Sequence, residues 1–422
     1  MIKKLQLALL LIGTGVYAQD ETTIKRCGTL EHMEYLKQND PSLEQQLKEY
    51  NEVLNQWVAK NPGGDKARAV RTIPLVFHIV YNTNAQNISD EQIMSQLKAM
   101  NEDFSRTNAD ASKTPAAFQS VAGNPNLQFC LAQRDPSGKA TNGIVRVKTT
   151  KTGFGTEDDV KSKATGGDDA WDVTKYYNIW ICNFSDSQLL GYGEFPTGQA
   201  SKTFGYVGTY KYTGTTSNVQ PPFNKGRTTT HEIGHCFNLK HIWGDENACS
   251  GSDDCADTPN QAKASGGKPT YPFKDACTTT NPGIMFMNYM DYSDDDVMNM
   301  FTVGQVARMD AVVNNAPYNK LLTSNGCVPI STGVEEIESS YELNVYPNPT
   351  DGDFTLTFNG VEKANYVVEL RNSLGQSVYK EEVKDFIGSY SKSLNLEKYG
   401  KGVYTVNISN SKNQAVKKLI VY

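Results

Sequence analysis

His231-Glu232-Ile233-Gly234-His235-Cys236-Phe237-Asn238-Leu239-Lys240-His241 is the stretch on which the reading of this chain turns. Histidines at i and i+4 of a helix share one face, so both imidazoles reach a single ion at about 2.0–2.1 Å. Glu232, beside the first of them, is placed to take a proton from a water that a bound cation acidifies toward a pKa of ~7. The helix must turn sharply before His241 swings back to the same ion, and asparagine at 238 is the best substitute for glycine where positive φ is needed. Only five histidines occur in the whole chain and three stand here at ligand spacing, which weighs against a chance His-x3-His pair. The expected ligands of a zinc ion are therefore His231, His235 and His241. Cys236 points away from the face shared by the first two and is expected to pack. His78, inside an apolar run, reads as a core histidine, and His32 precedes the region where processing is expected; neither is expected to bind metal.

Outward from this motif the chain divides readily. Met1-Ile2-Lys3-Lys4 followed by an apolar run to Val16 and a small residue at Ala18 predicts a secretory signal over 1–18. That run is shorter than the ~20 residues a spanning helix needs, and no later stretch is long enough, so no integral membrane span is expected. The eight cysteines are then read in an oxidising compartment. Asp40-Pro41 starts a helix with Leu43, Leu47, Tyr50 and Leu54 on one face, which ends at Asn61-Pro62-Gly63-Gly64. Lys66, Arg68 and Arg71 follow in a polar tether, so 19–70 is read as a separable prosegment. The main domain is expected over 71–325. It opens on a strand buried on both faces from Thr72 and continues into a helix capped by Ser89-Asp90-Glu91-Gln92, with Ile93, Leu97, Met100 and Phe104 facing inward. Strands are expected over 127–132 and 177–183, and irregular acidic loops after 243. A linker over 326–340 leads to 341–422, where short strands and turn chemistry alternate as in a small all-β sandwich.

The central region resembles the pappalysin family of metzincin metallopeptidases, in its ulilysin-like branch. The residues that carry the likeness are Asn224-Lys-Gly-Arg-Thr228, the histidine motif with His241-Ile-Trp-Gly-Asp245, Asp257-Thr-Pro-Asn-Gln261 and Met287-Asn-Tyr-Met-Asp-Tyr292. The resemblance implies an α+β catalytic domain, with a mixed sheet and helices above, an irregular lower subdomain and a substrate cleft between. It also implies roles for particular residues. Met290 is the apolar floor beneath the histidines, Tyr292 supports the oxyanion of the tetrahedral intermediate, and Asp296 is the pocket-floor carboxylate that selects arginine, or lysine, just after the cleaved bond. Cys249 and Cys277 match a family disulfide, whereas Val297 stands where another has a cysteine. The loop 245–257 holds five carboxylates and no Lys or Arg. It reads either as solvated surface or, with the family's calcium sites in view, as a place for Ca2+ at Asp253, Asp254, Asp257 and Thr258. Cys27 could be half of a disulfide, while its likeness to the latency cysteine of related zymogens implies a thiolate on the zinc's open position. Val70-Arg71 and Ala67-Arg68 are then candidate self-processing bonds.

Residues 341–422, with Tyr346-Pro-Asn-Pro-Thr-Asp-Gly352, Leu374-Gly-Gln376 and Gly402-Val-Tyr404, resemble the sorting domain of the type IX secretion system; an adhesion or binding sandwich is the other reading of the same composition. A formal charge of -6 gives nothing to attract a phosphate backbone, so no nucleic-acid partner is expected. The expectation is a secreted zinc endopeptidase made as a latent zymogen, hydrolysing polypeptides by Glu232-assisted attack of zinc-held water and exported by the type IX machinery. The alternative is a secreted binding or adhesion protein whose metal is structural.

Overall fold

The computed structural model describes residues 24–63, 70–329, 342–372 and 375–422. The expected signal, Ala67-Arg68, Leu374 and most of the expected linker lie outside them. The chain forms two compact units that meet in sequence at residues 330/331.

The first unit opens with two helices. α1 (Thr29–Asn39) was not foreseen, since Gly28 precedes it without a side-chain cap and its apolar periodicity is weak. α2 (Leu43–Lys60) buries Leu43, Tyr50 and Leu54 as its spacing predicts. β1 (Arg71–Tyr81) is buried continuously from Ile73 to Val80. α3 (Asp90–Phe104) starts where Ser89 accepts from Gln92 N at 3.2 Å. After the short α4 (Ala116–Gln119) come β2 (Ala122–Gly123), β3 (Leu127–Leu131), β4 (Ile144–Lys148), β5 (Tyr177–Cys182), β6 (Gly191–Tyr192) and β7 (Tyr206–Thr209). β1 pairs in parallel with β3 through Arg71–Leu75, with β4 through Phe77–Tyr81 and, on its other side, with β5. β7 follows in parallel and β6 closes the edge antiparallel. The sheet is therefore mixed, with the short β6 at one edge, where the segment before α1 pairs with the chain around it. Beneath it lies α5 (Arg227–Cys236), buried along its whole length. β8 (Phe301–Thr302) pairs with β2 and leads into α6 (Val303–Asn314), capped reciprocally by Thr302 and Gln305.

The region between α5 and β8 has little regular structure and is held by Cys249–Cys277, with Cα atoms 5.2 Å apart. A second bridge, Cys130–Cys327, joins β3 to the end of the unit across 197 residues. Closing so long a loop constrains the unfolded chain strongly, so Cys327→Ser should cost about 2–4 kcal/mol. Thermal unfolding of the purified chain should show Tm lower by roughly 5–10 °C; an unchanged Tm would mean that this bridge adds nothing.

The second unit contains β9 (Asn344–Tyr346), β10 (Asp353–Asn372), β11 (Ser377–Asn395), β12 (Gly402–Ser409) and β13 (Gln414–Val421). They form one connected antiparallel sheet in the order β11-β10-β12-β13, with β9 also on β10. Where short strands alternating with turns were expected, β10 runs unbroken for 20 residues. Register irregularities between Gly360 and Arg371 let its two halves bring Phe354, Leu356 and Phe358 to one core with Tyr366, Val368 and Leu370.

Candidate metal centre

α5 carries His231 and His235 on one face, and the chain beyond it brings in His241. Asn238 takes the left-handed conformation (φ +64°) that reverses the chain, Leu239 N returns to Gly234 O, and His241 arrives against the same face. The three Nε2 atoms lie 3.1–3.2 Å apart, and all three rings are fully buried. Every Nδ1 has an acceptor of its own. His231 donates to Tyr289 O and His235 to Leu239 O, each at 2.7 Å, and His241 donates to Asp245 Oδ1. With the proton on Nδ1, each Nε2 presents a lone pair to the other two. Burial first, and then the neighbouring His241, push His235 down to about 3; burial and both neighbours push His231 well below its ordinary value. Protons are thus excluded from a spot where three lone pairs converge, and a cation suits it. Donor separations of about 3.3 Å are what tetrahedral bonds of ~2.0 Å require. Asp245 orients His241 from its far side, as outer carboxylates of metal-binding histidines do, and the Trp243 ring lies flat on His241 at 4.3 Å. Asp245 stands in the quoted His241-Ile-Trp-Gly-Asp245 segment, although no ligand-orienting role was read there.

Met290 is fully buried below α5, and a Cβ at Gly234 would lie 2.4 Å from its Sδ. Glycine at 234 therefore lets the methionine turn approach the helix. Gly193, just past β6, serves the upper side, because a Cβ there would lie 2.6 Å from Glu232 O. A buried ionic network braces the arrangement: Arg227 pairs with Asp103 and Asp110 at 3.1 and 2.9 Å, and Tyr289 donates to Asp103 at 2.7 Å. These braces link α3, α5 and the methionine turn, and sequence reasoning missed them.

The segment before α1 fills the centre. Cys27 Sγ is 3.5 Å from His235 Nε2 and 3.4 Å from Glu232 Oε2, and burial with the neighbouring sulfur and Glu232 pushes the Tyr292 hydroxyl well above its ordinary value. Among the described residues, Cys27 with the three histidines is one of two clusters able to hold a metal ion. Thr29 Oγ1 donates to Glu232 Oε2 at 2.8 Å and accepts from Gly193 N at 2.8 Å. Burial lifts Glu232 to about 8, although hydrogen bonds from Thr29 and Cys27 pull the other way, and its Oε1 has no hydrogen-bond partner among the described residues. The Tyr292 ring lies 5.6 Å from His231 and 4.9 Å from His241. The segment runs parallel to the approach of β6, with Lys25 N to Gln188 O at 3.0 Å, Leu190 N to Lys25 O at 3.1 Å and Gly28 N to Gly191 O at 2.8 Å.

Two expectations fail here. Asp296 does not floor a pocket: its half-exposed carboxylate pairs with Lys225 at 3.1 Å and with Lys268, which hold it near 2. The preceding carboxylate is the one that meets a buried guanidinium. Asp295 is fully buried and receives Arg26 Nη2 at 3.1 Å, while Arg26 also meets Ser293 O and Met298 Sδ and lies 4.9 Å from the Phe223 ring centre. The four expected calcium ligands do not converge either. Asp254 pairs with Lys240 and Arg308, Asp257 caps α6 through Thr302 Oγ1 and Gly304 N, and Asp253 is bound by Thr258 Oγ1. Their oxygens are already engaged by cations and donors of the protein. His32 is fully buried beside Asp158 and Glu194, the second of those two clusters. His78 makes hydrogen bonds to Asp168 and Asn178 in the sheet.

A helix carrying two metal-facing imidazoles under a mixed sheet, a returning third imidazole and a methionine turn beneath define a metallopeptidase of the metzincin kind. The chain belongs to the pappalysin family: residues 159–314 match the peptidase family M43, described as Pregnancy-associated plasma protein-A. A promirolysin mutant of Tannerella forsythia is 44% identical, with a TM-score of 0.65 over 71% of this chain and 97% of that one. Mature mirolysin of the same organism, in complex with a cleaved peptide, is 49% identical, with a TM-score of 0.59 over 61% and 96% of the two chains. An extracellular metalloprotease of Arthroderma benhamiae is 27% identical over 72% of this chain and 96% of its own length. Residues 344–422 match the secretion system C-terminal sorting domain. The protein is a secreted metalloprotease of pappalysin type, with a sorting tail of type IX export.

Proposed function

We propose that the chain is the latent precursor of a zinc endopeptidase that cuts polypeptides just before arginine. The convergence of three neutral imidazoles beside one buried carboxylate carries the reading. His231, His235 and His241 would hold the zinc, with Cys27 as fourth donor in the precursor. A zinc ion there supplies Lewis acidity toward the peptide carbonyl and toward water. Glu232 holds the proton removed from the attacking water and passes it to the leaving amine. Tyr292, freed from Cys27, offers its hydroxyl to the developing oxyanion.

The prosegment accounts for latency through the same groups. Cys27 occupies the corner where water would stand, Thr29 ties up Glu232 and Gly193, and the backbone of 25–28 covers the edge that a substrate would use. The fourth donor belongs to a segment that processing removes, which favours a catalytic over a structural metal. Arg71 already pairs with Asp310 and begins β1, so Ala67-Arg68 is the better candidate for the first cut. No calcium is needed for this reading.

Arg26 supports the preference for arginine: its guanidinium lies by the Phe223 ring with its charge on Asp295. Asp295, one residue before the position expected, is the determinant of arginine selection. Asp295→Asn should lower kcat/KM for peptides with arginine after the cleaved bond by about 100-fold, and neutral side chains should lose far less. A peptide library cut with and without chelator tests both parts; cuts that ignore arginine would remove the role of Asp295, and cuts unaffected by chelator would remove the metal reading.

A further inference from the structure

Away from the metal, α1 inserts His32, fully buried, into a charged pocket of the catalytic unit. His32 Nδ1 lies 2.6 Å from Thr156 O, and Nε2 lies 3.6 Å from Asp158 Oδ1 and 3.9 Å from Glu194 Oε2. The ring also faces Tyr192, with centroids 4.6 Å apart. Nδ1 donates to Thr156 O, while Nε2 faces the two carboxylates at ion-pair range. Lys161 Nζ is the other cation, 2.7 Å from Asp158 Oδ1, 3.5 Å from Glu194 Oε2 and 2.7 Å from Thr203 O. Burial alone would raise Glu194, yet His32, Lys161 and Thr203 together hold it below the usual carboxylate range. Two carboxylates stand against one ammonium in this pocket, and the prosegment's ring is set against the pair of them.

We propose that Asp158, Lys161, Glu194 and Tyr192 form a second binding site for the prosegment, filled by the His32 ring, which holds the enzyme latent independently of the metal. The site recognises ring placement and local charge together: Thr156 O takes the Nδ1 proton while Nε2 faces the two carboxylates, and removing the ring leaves those carboxylates with Lys161 alone. A metal ion among His32, Asp158 and Glu194 is disfavoured by the ammonium already on Asp158. The inference rests on the zymogen reading given above.

The test uses the full chain in a Cys27→Ala background, where the sulfur lock is gone, and follows both the appearance of peptidase activity and the retention of the prosegment on size exclusion after cleavage. Rates are normalised to the matured enzyme carrying the same catalytic-unit substitution. His32→Ala should speed activation and prosegment release at least about tenfold. Glu194→Gln should do much the same, and the double variant should go little further than either single one. His32→Phe fills the ring volume without donors and should behave like alanine, whereas His32→Lys should stay within about threefold of the parent. The proposal is overturned if phenylalanine preserves retention, if the effects of His32→Ala and Glu194→Gln multiply, or if the precursor binds a second metal equivalent that His32→Ala abolishes. Failure of the peptidase reading has a different signature, because then no variant would ever gain activity.

Discussion

Replacing Glu232 with glutamine should reduce kcat by about 10²–10⁴ while leaving KM nearly unchanged. The amide keeps the shape of the side chain and can still meet Thr29, so the fold and the prosegment contacts should survive. It cannot hold a proton taken from water. The carboxyl is buried to the point that its pKa reaches about 8 in the prosegment-filled site. Departure of Thr29 and Cys27 together with a cation next to His231 would change that balance, the cation favouring the ionised base. Steady-state kinetics on matured protein decide the matter. A Glu232→Gln enzyme that retains a tenth of the parental kcat would assign the proton transfer to another group.

Removing the metal should be as severe. Dialysis against a chelator should abolish peptide cleavage, and one equivalent of zinc, but not calcium, should restore it; His235→Ala should resist rescue because no other side chain can replace its Nε2. The apoprotein should also show a characteristic pH dependence. His235 has a folded pKa of about 3, depressed by burial and by His241, against an unfolded value of ~6.5. The unfolded chain binds the extra proton between those values, so apoprotein stability should be full above about pH 6.5 and fall progressively as pH drops toward about 3. Metal should counter this fall by occupying the lone pairs. Denaturant melts of apo and zinc-loaded protein across that range measure it, and a flat apoprotein profile would contradict the buried neutral imidazoles.

Much of this site was legible because the chemistry is rare and local. Three of five histidines in eleven residues, with a glutamate and a turn-tolerant asparagine, specify a helix, its end and its ligands without reference to the rest of the chain. Ser89 before a periodic apolar run, the β-rich run after Thr72 and the breakers after α2 were likewise local signals, and the elements lie where those residues indicate. What was not legible depends on distant partners. Asp294, Asp295 and Asp296 are consecutive, and only tertiary placement sends one to a buried guanidinium and another to surface lysines. The acidic loop was read from composition, yet Asp254 and Asp257 each belong to a cation or a helix cap far along the chain. Cys130 and Cys327 carry no spacing signal, because connectivity follows from the fold. α1 is held by what it touches at Thr29, His32 and Met33, all buried, rather than by helix signals of its own. The uneven fusion of two expected strands into β10 reflects irregularities that turn-like residues such as Gly360 permit without ending the strand.

The account stands on one metal held by three imidazoles, with a fourth position that a cysteine fills before processing and surrenders afterwards. X-ray absorption at the zinc edge, taken on precursor and matured protein of known metal content, tests it most directly. One zinc per chain in both forms, with three nitrogen donors and one sulfur in the precursor and three nitrogens and an oxygen after maturation, is the predicted result. A matured enzyme that keeps the sulfur, or that cleaves peptides at full rate without a stoichiometric ion, would contradict it.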